Sequence, residues 1–173
     1  MLMEFKANQR LDTERMRHYL NDELSVLHCH HYTALLTQLA DDARLLNGPQ
    51  LLAEASEESF YPILVKYFND NDVETLEDRV SIVEQYFSFV GLGQLKITVD
   101  EDGGSAEMMY SHVDEGWRKK WSNRDRPVNF VGQGFLAAAF SAITDNDPGS
   151  FKVDETASIV LGAEKSRFNI ERN

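Results

Sequence analysis

The stretch Leu95–Tyr110, LKITVDEDGGSAEMMY, decides the fold. Leu95, Ile97 and Val99 alternate with Lys96, Thr98 and Asp100. Asp102, Gly103 and Gly104 supply a turn, and Ala106, Met108 and Tyr110 resume the alternation. A period of two on both sides of a glycine turn predicts an antiparallel hairpin with one face on a core. Such a sheet needs helices to cover its apolar side.

The flanking sequence supplies them. From His31 to Asn47, the residues Tyr32, Leu35, Leu36, Leu39, Ala43 and Leu46 recur at helical spacing, which predicts a helix with one buried stripe. Gly48 ends it, and Pro49 suits the first turn of the next helix. Leu52, Ala55, Phe60, Ile63, Leu64 and Tyr67 continue the pattern, with a kink or break expected at Pro62. Thr75 followed by Asp78 resembles a capping pair. It opens a third helix through Leu76, Val80, Val83, Phe87 and Val90, which Gly91 and Gly93 stop.

Beyond the hairpin, a short helix places Val113, Trp117 and Trp121 on one side. Asn129 caps a helix from about Val131 to Thr144, thinned by Gly132, Gly134 and Ala137 to Ala139 for close packing. Lys152–Leu161 and Arg167–Glu171 form a last hairpin around Gly162 to Lys165. Met1–Asn21 reads as a short helix or a loosely held arm. Glu23–His28 reads as a strand or a first helical turn. The expected organisation is an arm or short helix over 1–22 and one domain over 23–173. The fold class is α+β, with helices on one face of a twisted antiparallel sheet.

The 173 residues are 42% hydrophobic and 27% charged, a globular composition. One cysteine, Cys29, excludes an intramolecular disulfide scaffold. No apolar run spans a bilayer, and the first residues do not resemble a signal peptide, so the expected location is cytoplasmic. A net charge of -12 argues against nucleic-acid binding.

Two clusters carry chemistry. Four of the five histidines lie within residues 18–31, and His28, Cys29, His30 and His31 are consecutive. On a strand, His28 and His30 share a face and could grip a transition metal, with His18, His112, Asp114 or Glu115 completing the set. Histidines at an element boundary that make ordinary backbone hydrogen bonds are the plainer reading. Cys29 reads as a small buried side chain. The second cluster is Trp117, Arg118, Lys119, Lys120, Trp121, Arg124 and Arg126, the only concentrated positive stretch. It reads either as a solvated helix face with two core tryptophans or as a receptor for an anionic group. Asp41 with Asp42, Glu57 with Glu58, and Asp70 with Asp72 read as solvated surface. Gly132-Gln133-Gly134 lacks the spacing and the lysine of a phosphate loop.

Phe130 to Phe140, then Glu155 and the hairpin to Ile170, resemble the four-vinyl-reductase-like domain family, related to hydrocarbon- and effector-binding domains and to the fold of vesicle-tethering (TRAPP) subunits. His30-His31-Tyr32 and Leu51 to Ala55 are compatible with it. The resemblance covers residues 25–171. Near its end the family pattern carries a glutamate, a cysteine, a glycine and a second cysteine. Here the matching positions are Glu155, Ser158, Gly162 and Ser166, followed by Phe168. Serine at both cysteine positions argues against a thiolate-held metal or redox role. The resemblance implies a four-vinyl-reductase-like fold that often forms a homodimer and encloses a small hydrophobic or aromatic molecule, in many members without turnover.

The leading expectation is therefore a small-molecule-binding or sensing domain and not an enzyme, with His30, Tyr110, Trp117, Trp121 and Arg118 as ligand-binding residues. Tyr67, Phe87 and Phe89 are expected near the tryptophans around an apolar cavity. A sensor would signal through a separate output protein. The alternatives are a metal protein or metal-dependent enzyme centred on His28 and His30, and an oligomeric adaptor.

Overall fold

In the computed structural model, which describes residues 2–26 and 29–173, the stretch quoted above forms the centre of the sheet. Strand β4 (Gly93–Val99) pairs antiparallel with β5 (Gly103–Ser111), and the four-stranded order is β4-β5-β7-β6, with β6 at Phe151–Ala157 and β7 at Ser166–Arg172. Its inner face carries Leu95, Ile97, Ala106, Met108, Phe168 and Ile170, all buried. Its outer face is polar, with Glu107 paired to Lys165 and Arg167. The alternation of these strands is the sequence expression of that two-faced sheet.

Three helices cover the inner face. α5 (Phe130–Ile143) lies on β6 and β7, and α2 (Gly48–Asp70) packs over α5. α3 (Leu76–Phe89) covers β4. The thinness of α5 is used: a Cβ on Gly134 would lie 2.0 Å from the Ala53 carbonyl oxygen, so only glycine permits this approach of α2 and α5. Phe135 and Phe140 fill the space between helices and sheet. The caps form as the sequence predicts. The Asp78 N–H donates to Thr75 Oγ1 at 3.1 Å, and the Gly132 N–H donates to Asn129 Oδ1 at 3.0 Å.

Several expectations are corrected. α2 continues unbroken through Pro62, whose missing donor is one bond in a long helix held by packing on α5. Residues 9–25 contain no helix; β1 (Gln9–Asp12), β2 (Arg17–Leu20) and β3 (Glu23–Ser25) form a small antiparallel sheet. The preceding residues are tied down, with the Met3, Phe5 and Lys6 N–H groups donating to Asp78, Gln85 and Tyr67.

The largest correction concerns α1 (His30–Asp42). Its buried residues are Thr33, Ala34, Thr37, Ala40 and Asp41, while Tyr32, Leu35, Leu36 and Leu39 face outward, as does Leu46 beyond its end. The reason is the closeness of its neighbours. α1 packs against α2 and against α4 (His112–Trp121). A Cβ on Gly116 of α4 would lie 2.8 Å from His30 Cβ, so this contact admits small side chains and no leucine. Cys29 is exposed, contrary to expectation. Asp41 is buried, and Glu57 is buried and accepts from the Gly149 N–H at 2.8 Å, so neither belongs to a solvated acidic surface.

Candidate functional site

The candidate site forms where β5, α4, α5 and the β6–β7 connection meet. At its end β5 holds one extra residue: Gln94 pairs with Tyr110 and Leu95 with Met108, leaving Met109 as a bulge. The bulge flips the alternation. Tyr110 turns out to solvent, 60% exposed, and Ser111 turns in. Ser111 then caps α4, its Oγ accepting from the Asp114 N–H at 3.2 Å. Asp114 lies one turn into α4 and has no solvent exposure.

Asn129, the cap of α5, completes the arrangement. Its amide donates to Ser111 Oγ at 3.0 Å and to Asp114 Oδ2 at 2.9 Å. Ser166, the first residue of β7, donates to the same Oδ2 at 3.3 Å and accepts from the Ile159 N–H at 3.0 Å. Glu155 joins from β6, on the face that also carries Phe151 and Val153. Ser158 follows in the connection and is buried. The glutamate and both serines of the family-like pattern thus converge with Asp114 and Asn129.

This polar cluster is incompletely satisfied. Asp114 Oδ1, both Glu155 carboxyl oxygens, Ser158 Oγ and the indole Nε1 of Trp117 are buried without a hydrogen-bond partner. Burial raises the pKa of Glu155, and the neighbouring Asp114 carboxylate raises it further. Ser158 and Ser166 lie near enough to oppose that shift but not in hydrogen-bonding geometry to Glu155. Burial also raises the pKa of Asp114, against the hydrogen bonds from Ser111, Asn129 and Ser166. Two carboxyls this close, without a cation, cannot both ionise cheaply. Asp114, which accepts hydrogen bonds from Asn129 and Ser166, takes the charge and Glu155 keeps the proton.

Beside it lies a small apolar cluster of Trp117, Val128, Phe130, Val160 and Ala40, with Leu52 and Trp121 at its edge. Trp117 is three residues after Asp114, on the same buried face of α4. The segment between α4 and α5 is pinned by a second acid. Asp41 receives Arg124 at 2.5 Å, Arg44 at 2.7 Å and Arg126 at 3.0 Å. Burial would raise its pKa, but the guanidinium groups of Arg126, Arg44 and Arg124 outweigh that and hold it down to about 2.

The residues singled out from the sequence are only partly brought together. The rings of Trp117 and Trp121 lie 4.8 Å apart. His30 is half-buried, its ring 5.9 Å from that of His112. Arg118 is exposed. His28 lies outside the described residues, and His30 opens a helix and not a strand. Among the described residues, no three His, Cys, Asp or Glu side chains gather as metal ligands. At the family-like pattern, Ser166 and Asn129 spend their donors on Asp114, a donor set that does not fit a thiolate-held metal. Tyr67 and Phe87 sit in the main core with Phe135, apart from the tryptophan cluster, and Phe89 is exposed. A cavity of about 30 Å³ lies by Phe5, Tyr67 and Tyr86, and none of the five expected ligand residues lines it.

Sequence reasoning missed Asn129 and Ser111 as site residues, and offered Asp114 only as a further metal ligand for the histidines. A signal was present for Glu155 and Ser166: period two places Glu155 with Phe151 and Val153, and Ser166 with Phe168 and Ile170, on apolar strand faces.

No family model matches this sequence, and no curated protein matches it either. Solved structures do. The chain is similar to the phenol-responsive sensory domain of the transcription activator PoxR, solved with phenol: TM-score 0.73, 16% identity, covering 95% of this chain and 84% of that one. It is also similar to a vinyl-4-reductase family protein from Methanocaldococcus jannaschii: TM-score 0.50, 16% identity, covering 70% of this chain and 68% of that one. The fold is therefore α+β and vinyl-reductase-like, with helices packed on an open twisted antiparallel sheet. No helix among the described residues is long and apolar enough to cross a membrane.

Proposed function

We propose that the chain is a binding or sensing domain for a small hydrophobic or aromatic molecule, without turnover, and that the molecule seats between Trp117 and the Asp114–Glu155 cluster. The observation that carries this reading is the set of buried polar groups without partners. Native interiors rarely leave such groups unpaired, and a ligand hydroxyl would satisfy them. Trp117 Nε1 offers a donor, and the apolar cluster around it suits an aromatic ring. The likeness to a domain solved with phenol supports the same chemistry. The half-buried Trp121 and Leu52 stand where a ligand would pass. The absence of turnover is part of the proposal, supported by the use of Asn129 and Ser166 to hold Asp114 in place.

Phenol is the probe. Titration into the purified chain, followed by calorimetry and tryptophan fluorescence, is expected to saturate, and Trp117→Phe is expected to weaken binding about tenfold or more. Native mass spectrometry of untreated protein is expected to show a bound small molecule. A bare chain mass, together with no saturable heat from phenol, would overturn the reading.

A further inference from the structure

We propose that the aromatic molecule of this site carries a positively charged amine, held by Asp114 and Glu155 with its ring against Trp117. The proposal rests on the ligand reading above and names the chemistry that reading leaves open. At the cluster the unpartnered buried atoms are Asp114 Oδ1, both carboxyl oxygens of Glu155, Ser158 Oγ and Trp117 Nε1. Four of these are oxygens that can accept, and one is an N–H that can only donate. A neutral hydroxyl has one hydrogen to give and leaves most of the oxygens bare. A primary ammonium gives three. An aromatic ring face can receive the Trp117 N–H.

Charge points the same way. Asp114 has no solvent exposure, and among the described residues neither it nor Glu155 is paired with a Lys or Arg. Bases are close in sequence but directed elsewhere. Arg118, Lys119 and Lys120 follow Trp117 on α4 and are exposed, while Arg124 and Arg126 are bound to Asp41. A buried carboxylate that the chain itself leaves without a cation is matched by a cation from outside. A bare metal ion fits less well. Asn129 and Ser166 occupy Asp114 Oδ2, so four oxygens remain, where calcium takes roughly six to eight. Zinc favours imidazole and thiolate, and no three His, Cys, Asp or Glu side chains gather here among the described residues. Trp117 lies one turn from Asp114 on the buried face of α4, so an apolar surface for a ring stands directly beside the acids.

The test is calorimetric titration of the whole chain at pH 7, where the amine is charged, with benzylamine and with benzyl alcohol. The two share a shape and differ in charge, and phenol is the reference. Benzylamine is expected to bind about tenfold or more tighter than benzyl alcohol. Asp114→Asn keeps an oxygen for Asn129 and Ser166 and turns its amide NH2 towards the ligand, so it is expected to remove or reverse that preference. Glu155→Gln is expected to weaken benzylamine about tenfold and to leave benzyl alcohol within about twofold. Should Asp114→Asn fail to fold in thermal melts, Glu155→Gln carries the same comparison. Glu164→Gln, at an exposed acid in the β6–β7 connection, should keep the full preference. A preference that survives both Asp114→Asn and Glu155→Gln would come from the net charge of -12 and not from the pair, and would overturn the inference. Benzylamine that binds no tighter than benzyl alcohol while phenol saturates would overturn it and leave the ligand reading standing. No saturable binding of any of the three would overturn both. Calcium and zinc chloride are titrated in the same way, and an ion that saturates the site where benzylamine does not would overturn the inference in favour of a metal.

Discussion

Asp41 and the Asp114–Glu155 pair are alike in lying out of reach of solvent and different in what surrounds them. Asp41 has three guanidinium groups and a depressed pKa. The pair has serine hydroxyls, an asparagine amide and no cation, and both pKa values are raised. An acid paired in full has little left to offer a ligand; it fastens α1 to the segment that leads into Val128 and Asn129. An acid pair left with bare oxygens is a cost to folding, and such costs concentrate where a protein binds or reacts.

The contrast can be broken most forcefully at Asp41. Asp41→Ala leaves three arginines around an empty site and is expected to cost about 3 kcal/mol in urea unfolding. Glu155→Gln should act in the opposite direction. It is expected to stabilise the protein by on the order of 2 kcal/mol at pH 9 and to change little at about pH 3, where the glutamate is protonated in both states. The pH profile of the wild type follows from the same two signs. Asp41, with its lowered folded pKa, contributes stability present above about pH 4 and lost as pH falls towards 2. The raised pKa of Glu155 means that stability declines as pH rises from about 4 through neutrality, because the unfolded chain releases its proton first. Thermal melts from pH 2 to 9 should show both limbs, and Glu155→Gln should flatten only the upper one.

The smallest effects separate the two serines. Ser166→Ala removes a donor to Asp114 and an acceptor for the Ile159 N–H, and is expected to cost about 1 kcal/mol. Ser158→Ala removes a hydroxyl without a partner and should fall within about 0.5 kcal/mol of the wild type while weakening phenol binding.

The sheet and the order of helices were legible because period two and period 3.6 are local consequences of backbone geometry. Thr75, Asn129 and the α5 glycines announced caps and close packing in the same way. The α1 stripe was legible as a stripe but not as to which side it faced. A leucine row looks identical whether it meets a core or faces outward, and only the proximity of Gly116 to His30 shows that the inner side had to be small. Tyr110 was lost to the Met109 bulge, which shifts the alternation by one residue. Asp114 read as a candidate ligand for a histidine-held metal and Asn129 as an ordinary cap, and only the tertiary fold brings them to Glu155. The resemblance marked Glu155, Ser158 and Ser166 together, but nothing local to the hairpin indicated that an aspartate and an asparagine would close around them.

The most direct measurement is a carbon-13 NMR titration of the Glu155 side-chain carboxyl from pH 3 to 9, with Asp41 followed in the same sample. Glu155 is expected to remain protonated at pH 6 while Asp41 stays ionised down to pH 3. A Glu155 midpoint near that of a surface glutamate, about 4, would contradict the claim that this acid is held without a cation in a site awaiting a ligand.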